Sequence, residues 1–267
     1  MRDALSLVIH YFGASLRSQM QYKASVLLLT LAHLLATGMD LLGLAVLFAH
    51  FGQLRGWSLA EVAIFYGLTN AAFSLADAVG TGFDRFGALV KSGGFDRLLL
   101  RPRPTALQLA AQELTLRRVG RLLQALLALV VGSGWLGLHW TWPKLALATA
   151  AVAGATCLFL GLLIIQATLA FWTTESLEVM NTVTYGGVQA FQYPVTIYDE
   201  WFRKVFTYLV PLALTCYYPV LAILERADPL GGPAWLGWLS PLVGPLFGGA
   251  ALLLWRHGER HYCSTGS

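Results

Sequence analysis

The stretch LALATAAVAGATCLFLGLLIIQATLAF, residues 145–171, runs for 27 residues without a charged side chain. A bilayer's hydrocarbon core of about 30 Å is crossed by roughly 20 helical residues, so this stretch is long enough to span one. No water is available there for backbone N–H and C=O groups, and an α-helix satisfies its own. Pro143, just before it, suits a first helical turn, where no N–H donor is needed.

Working outward, residues 24–51, 59–82, 119–138, 205–224 and 239–255 have the same character. Glu113, Arg117, Arg118 and Arg121 give the third of the six stretches a basic foot below its apolar part. The whole chain is 57% hydrophobic and only 12% charged, where a soluble domain carries about 25% charged residues, and its mean hydropathy is +0.61. The expected architecture is an all-α integral membrane protein, a single transmembrane domain over residues 1–267 with six transmembrane helices. Residues 1–22 place Leu5, Val8, Ile9, Phe12, Leu16 and Met20 at helical spacing between polar residues. That pattern predicts a helix lying on the membrane surface rather than a signal peptide. The mixed connector 173–204 is expected along the interface, with residues 173–178 as a helix start, and the Pro- and Gly-rich residues 225–238 as a short dipping element.

Lys and Arg accumulate in short cytoplasmic segments. Of the eighteen, only Arg55, Lys144 and Arg226 fall on one predicted side, so both termini are expected on the basic, cytoplasmic side. Indoles prefer the headgroup level: Trp57, Trp135, Trp140, Trp142, Trp235 and Trp238 fall at predicted outer ends, and Trp172, Trp201 and Trp255 at inner ends. The three cysteines, Cys157, Cys216 and Cys263, have neither CxxC nor metal-ligand spacing.

Between the second and third spans, in the cytoplasmic segment 83–105, lies VKSGGFDRLLLRPRPT, residues 90–105. Gly93 and Gly94 break the preceding helix, and Pro102 and Pro104 stop whatever forms after Phe95. What remains is a short helix with a leucine face and a basic face. It suits snorkelling arginines on anionic lipid, or docking of a cytoplasmic partner.

Gly94, Phe95, Asp96, Arg97, Leu98, Leu99, Leu100, Arg101 and Pro102 resemble the G-x-D-x-x-L-x-R-P segment of type-2 permeases of ATP-binding-cassette exporters. The run from Asn181 to Gly187, then Tyr193-Pro194, Tyr198, Trp201, Arg203, Pro211 and Pro219, resembles the branch that includes viologen and drug exporter permeases. The ending, Trp255, Gly258, Tyr262 and the last four residues, is similar to it too. The resemblance implies that Gly94 to Pro102 form a coupling helix touching the ATPase. It also implies ATP-binding-cassette ATPase subunits as partners, a second and different permease, Mg-ATP held by the ATPase rather than by this chain, and a prokaryotic plasma (inner) membrane. The sequence has no GxxxxGK[ST] phosphate loop, which suits a transport subunit rather than an enzyme. The implied function is efflux of a hydrophobic or cationic drug-like, lipid or peptide substrate by alternating access. The competing readings are an ATP-independent channel and an intramembrane lipid-modifying enzyme. The first lacks repeated polar rings, and the second a convergent catalytic set.

Polar residues inside apolar sequence are costly and call for a partner or a function. Asp40, Asn70 and Asp77 are the candidates for the translocation path, each with interhelical hydrogen bonding as its alternative. Arg85 is a candidate neutraliser of Asp77. Pro211 and Pro219 free carbonyls within the fifth span and are gate candidates. His257 and His261 stand four apart beside Arg256 and Arg260, without an HExxH pattern, so no metal site is expected.

Overall fold

The computed structural model describes residues 13, 21, 23–112, 119–173 and 177–263. The surface helix expected over 1–22, the Glu113–Arg118 foot and the last four residues therefore lie outside the described residues, apart from Gly13 and Gln21. Among the described residues every regular element is helical. In order these are α1 (Lys23–Phe51), α2 (Leu59–Asp84), α3 (Phe86–Lys91), α4 (Gly94–Leu99), α5 (Thr105–Gln112), α6 (Val119–Leu136), α7 (Trp142–Leu169) and α8 (Leu177–Phe191). There follow α9 (Glu200–Leu209), α10 (Ala213–Leu224) and α11 (Leu236–Arg260).

By length and composition α2, α6, α7 and α11 can each cross a membrane, and the bent pair α9 and α10 makes five if it counts as one span. The first expected span, α1, contributes two shorter apolar stretches, Leu27–Ala36 and Leu42–Phe51.

Small residues set the helix pairing, as they do where lipid supplies no hydrophobic drive between helices. A side chain at Gly67 would meet Leu129 and the carbonyl of Ala125, and one at Gly132 the carbonyl of Ala60, so α6 runs antiparallel to α2. The Thr156 hydroxyl donates to the Ala72 carbonyl at 3.1 Å, and the Gln166 amide to Asp84 at 3.3 Å, so α7 runs parallel to α2. Gly154 abuts Gly244, and Gly161 abuts Gly248, so α11 runs parallel to α7.

Two parallel helices in succession require the chain between them to return from one end of the bundle to the other. That return is made by α8 and the residues after it. The Thr69 hydroxyl donates to the Phe191 carbonyl at 2.8 Å, and the Trp57 indole N–H donates to the Thr196 hydroxyl at 2.9 Å. Thr196 thus stands at the end of the bundle that holds Trp57. Beyond α10, Glu225 pairs with Lys144 at 2.8 Å, and Arg226 pairs with Glu61, both at that same end.

The segment from Thr196 to Glu225 therefore starts and finishes at one end. Its two helices, α9 and α10, meet at 91° at Val210 and Pro211. Phe206 and Leu212 reach as deep as Gly187 on α8. The single span expected over 205–224 is thus a broken, dipping pair, and the dip expected at 225–238 lies one element earlier. Residues 225–235 instead form a stitched loop, and α11 starts at Leu236. Asp228 accepts from the Tyr217 hydroxyl at 2.9 Å and from the amides of Leu230 and Gly232. The connector 173–204 does not lie along one face either, because one side of α8, with Thr184, Val188 and Phe191, is buried against the bundle, while Thr182, Gly186 and Gln189 on its other side are exposed. Arg203, Lys204 and Trp201 consequently follow Thr196 at the Trp57 end, opposite to their expected side.

Trp57 and Trp255 depart from the belt expectation, since both are buried, while the other seven tryptophans are exposed. Trp57 instead anchors a clamp. Ser58 caps α2, exchanging hydrogen bonds with Glu61, and Glu61 pairs with Arg226, whose guanidinium lies 3.8 Å from the Trp57 ring centroid. The exposed Glu225 carboxyl is held below its ordinary range by its hydrogen bond to Lys144 and by that ammonium's charge.

Candidate coupling site

At the opposite end, α2 stops at Arg85 and the chain turns twice within twenty residues. Gly93 has φ +66, the left-handed conformation that glycine adopts freely, and this turn reverses the chain between α3 and α4. A side chain at Gly94 would meet Leu89 at 2.6 Å. The pair of glycines thus folds α4 back onto α3 as well as ending it.

Helix α4 is divided lengthwise. Its inner face is Gly94, Phe95 and Leu98, all buried. The Phe95 ring, 0% exposed, sits edge-on to Phe86 at 5.0 Å, Tyr262 at 4.9 Å, Phe171 at 5.5 Å and Trp255 at 6.3 Å between centroids. Those rings belong to α3, the ends of α7 and α11, and the tail, and Phe83 of α2 adds another edge against Trp255 at 5.6 Å. Aromatic pairs in such geometry are worth about 0.5–1.5 kcal/mol each beyond their burial.

The outer face and the turn that continues it carry Arg97, Leu99, Leu100 and Arg101, all exposed, with Leu100 at 85%. The leucine face expected from the sequence is therefore split: Leu98 points inward, while Leu99 and Leu100 share the surface with the arginines. Asp96 is half-buried and Pro102 exposed. The end of α4 is held by Gln108 of α5, whose amide donates to the carbonyls of Leu98 at 3.1 Å and Arg103 at 2.9 Å. Thr105, at the start of α5, accepts from the buried Trp255 indole N–H at 3.0 Å. A load on the outer face of α4 thus meets a stiff aromatic block joined to α2, α7 and α11.

The other candidates do not converge on this place. Asn70 is 2% and Asp77 1% exposed. They share a stripe of α2 with Ser74 and Thr81 that continues Ala60, Ala63 and Gly67, the face turned to α6. The Asn70 amide donates to the Tyr66 carbonyl at 2.9 Å, and the Thr81 hydroxyl to the Asp77 carbonyl at 2.8 Å. Arg85 is exposed, eight residues from the buried Asp77. Asp40 lies within α1, and its side chain is outside the described residues. Pro211 is buried at the break between α9 and α10, and Pro219 is buried in the first turn of the α-helical part of α10. Among the described residues no three His, Cys, Asp or Glu side chains come together as metal ligands.

Sequence reading missed Gln108, Phe171, Trp255 and Tyr262 as partners of α4. For the three rings the one available signal was aromatic residues at the inner ends of several spans; Gln108 had none.

A family model described as ABC-2 family transporter protein matches residues 34–266, nearly the full length. The chain belongs to the ABC-2 transporter family. Neither a curated protein nor a solved structure matches it. The resemblance to type-2 permeases holds at this level: as an ABC-2 transporter the chain is a multi-pass membrane protein and the permease component of an ATP-binding-cassette transporter. Permeases of this kind have no nucleotide-binding domain and work with ATP-binding-cassette ATPases. The matched range includes α4 and the residues that hold it, Phe86, Gln108, Phe171, Trp255 and Tyr262.

Proposed function

We propose that this permease belongs to an exporter in which closure of separate ATPase subunits, driven by Mg-ATP held there, bears on the outer face of α4. The observation that supports the reading is the lengthwise division of α4, with Arg97, Leu99, Leu100 and Arg101 outward and Phe95 and Leu98 locked into the block that joins α2, α7 and α11. Gly94 opens the helix, Pro102 follows the turn after it, and Asp96 lies on its flank.

In this reading the chain crosses a prokaryotic plasma (inner) membrane six times, with α1 first and α8 as the fifth crossing. Both termini are cytoplasmic, on the α4 side, and the α9–α10 pair dips in from the outside. Placing Arg203 and Lys204 outside leaves the basic excess on the α4 side intact. Substrate passes between two permeases, the second a different chain, as the resemblance to two-permease drug exporters suggests. Its class is hydrophobic or cationic drug-like, lipid or peptide. Pro211, at the break in the dipping pair, is the gate residue we assign, with Pro219 shaping the helix behind it. Asp40 remains the candidate for the path, whereas Asn70 and Asp77 serve the α2–α6 seam.

The test reverses two charges. Arg97→Glu with Arg101→Glu, co-expressed with the ATP-binding-cassette ATPase that co-purifies with the parent protein, is expected to abolish co-purification of the ATPase while membrane insertion stays intact. Equal recovery of the ATPase with the variant and the parent protein would overturn the coupling reading.

A further inference from the structure

Behind the coupling segment lies a cavity of about 340 Å³ between α2, α5, α7 and α11, within the range of small-ligand pockets. Its wall is apolar, with Phe83, Ala106, Leu160, Ile164 and Leu252 among the lining residues, and the buried Trp255 also lines it. The Trp255 indole N–H is already taken by Thr105, so that ring offers the cavity a hydrocarbon surface. Two charges line the same cavity: Arg256, exposed, and Glu259, half-buried, three residues apart on α11. Residues three apart on a helix are neighbours on its surface, so the cavity has one positive and one negative group side by side.

That pairing selects its occupant. A detergent-like or purely apolar molecule would fill the wall and leave both charges unused. An anionic headgroup would meet Arg256 and be repelled by Glu259. We infer that the cavity binds an aminophospholipid such as phosphatidylethanolamine, with an acyl chain against Leu160, Ile164 and Leu252, the phosphate on Arg256 and the ammonium on Glu259. A guanidinium matches phosphate oxygens, and an ammonium brings three donors to a carboxylate. The position is right for a membrane lipid: the cavity is walled by the apolar flanks of α7 and α11, and its charges stand in the last turn of α11, at the polar end of the bundle. Held there, the lipid bridges α5 and α11, the two elements that carry Gln108 and Trp255 behind α4. The inference rests on membrane insertion alone and not on coupling to an ATPase.

The experiment uses the full chain in nanodiscs of equal phosphatidylethanolamine, phosphatidylglycerol and phosphatidylcholine, followed by extraction into mild detergent and native mass spectrometry of retained lipid. The parent protein is expected to retain about one phosphatidylethanolamine per chain. Arg256→Gln is expected to lower retention of every phospholipid about fivefold, the value of one basic contact at the membrane surface. Glu259→Gln is expected to erase the preference for phosphatidylethanolamine over phosphatidylglycerol while keeping total occupancy. Ala106→Trp, which fills the apolar wall, is expected to abolish retention. Size-exclusion and circular dichroism profiles matching the parent confirm folding, and the two charge variants, conservative at the surface, carry the test if Ala106→Trp fails it. Equal retention of the three lipids by the parent protein, or a Glu259→Gln variant with unchanged preference, would overturn the proposal. An anionic lipid retained in preference would assign the cavity to charge alone and overturn the aminophospholipid reading.

Discussion

At the scale of the residue, Phe95 decides whether α4 is an ornament on the surface or part of the frame. Its ring is the centre of the aromatic block, so truncation removes several edge contacts at once and leaves a void. Phe95→Ala is expected to cost about 3–5 kcal/mol, the range for a fully buried phenylalanine. Chemical unfolding in detergent would measure it, and Phe95→Leu should recover part of the loss by refilling volume. A loss no larger than that of an exposed leucine such as Leu100→Ala would show that the block does not hold α4. The motif from Gly94 to Pro102 was legible as a short helix between breakers, and so was its basic character. What Phe95 touches was not, because Phe171, Trp255 and Tyr262 are distant in sequence and nothing local announces them.

Among the elements, α8 shows how a hydropathy reading goes astray. It has 15 residues, about 22 Å of helix at 1.5 Å per residue, and carries Asn181, Thr182, Thr184 and Gln189. A lipid-facing helix of that length and polarity would be costly. Here Thr184 is buried against neighbouring helices while Thr182 and Gln189 stay exposed, and the remaining distance is covered by the residues up to Thr196. The more apolar α9 and α10 look like a span by composition, yet their two outer ends lie beside Trp57 and Glu61. Single cysteines at Asp199 and at Asp228, in a chain with Cys157, Cys216 and Cys263 replaced, are expected to react with a membrane-impermeant maleimide from the same face. A cysteine at Arg97 is expected to react only from the opposite face. Labelling of positions 199 and 228 from opposite faces would restore the single span. The stitched loop after α10 was half legible: its Pro and Gly excluded a long helix, but Asp228 as the acceptor for Tyr217, Leu230 and Gly232 was not.

For the molecule as a whole, the parallel contact of α7 and α11 fixes the topology, and it depends on backbones meeting. A Cβ at Gly244 would lie 1.8 Å from the Gly154 carbonyl oxygen, whereas one at Gly249 has nothing within 4 Å. Gly244→Ala is expected to destabilise the bundle by about 1–3 kcal/mol or more through overpacking, and Gly249→Ala to be neutral or slightly stabilising through helix propensity. Thermal unfolding of both variants in one detergent provides the comparison, and equal stability would remove the close crossing. The Gly244-x-x-x-Gly248 spacing was present in the sequence as a small-residue signal, but it does not say which helix comes close. By itself the sequence determined the solvent, and through it the helices: long uncharged stretches have no stable alternative in hydrocarbon. It also determined where the short basic helix between its glycine and proline breakers stands. Only the tertiary structure decided which segment makes the return between α7 and α11, because hydropathy reports contact with lipid. A helix that carries polar residues on both its buried and its exposed side does not read as lipid contact, and an apolar pair that dips and returns has the contact without the crossing.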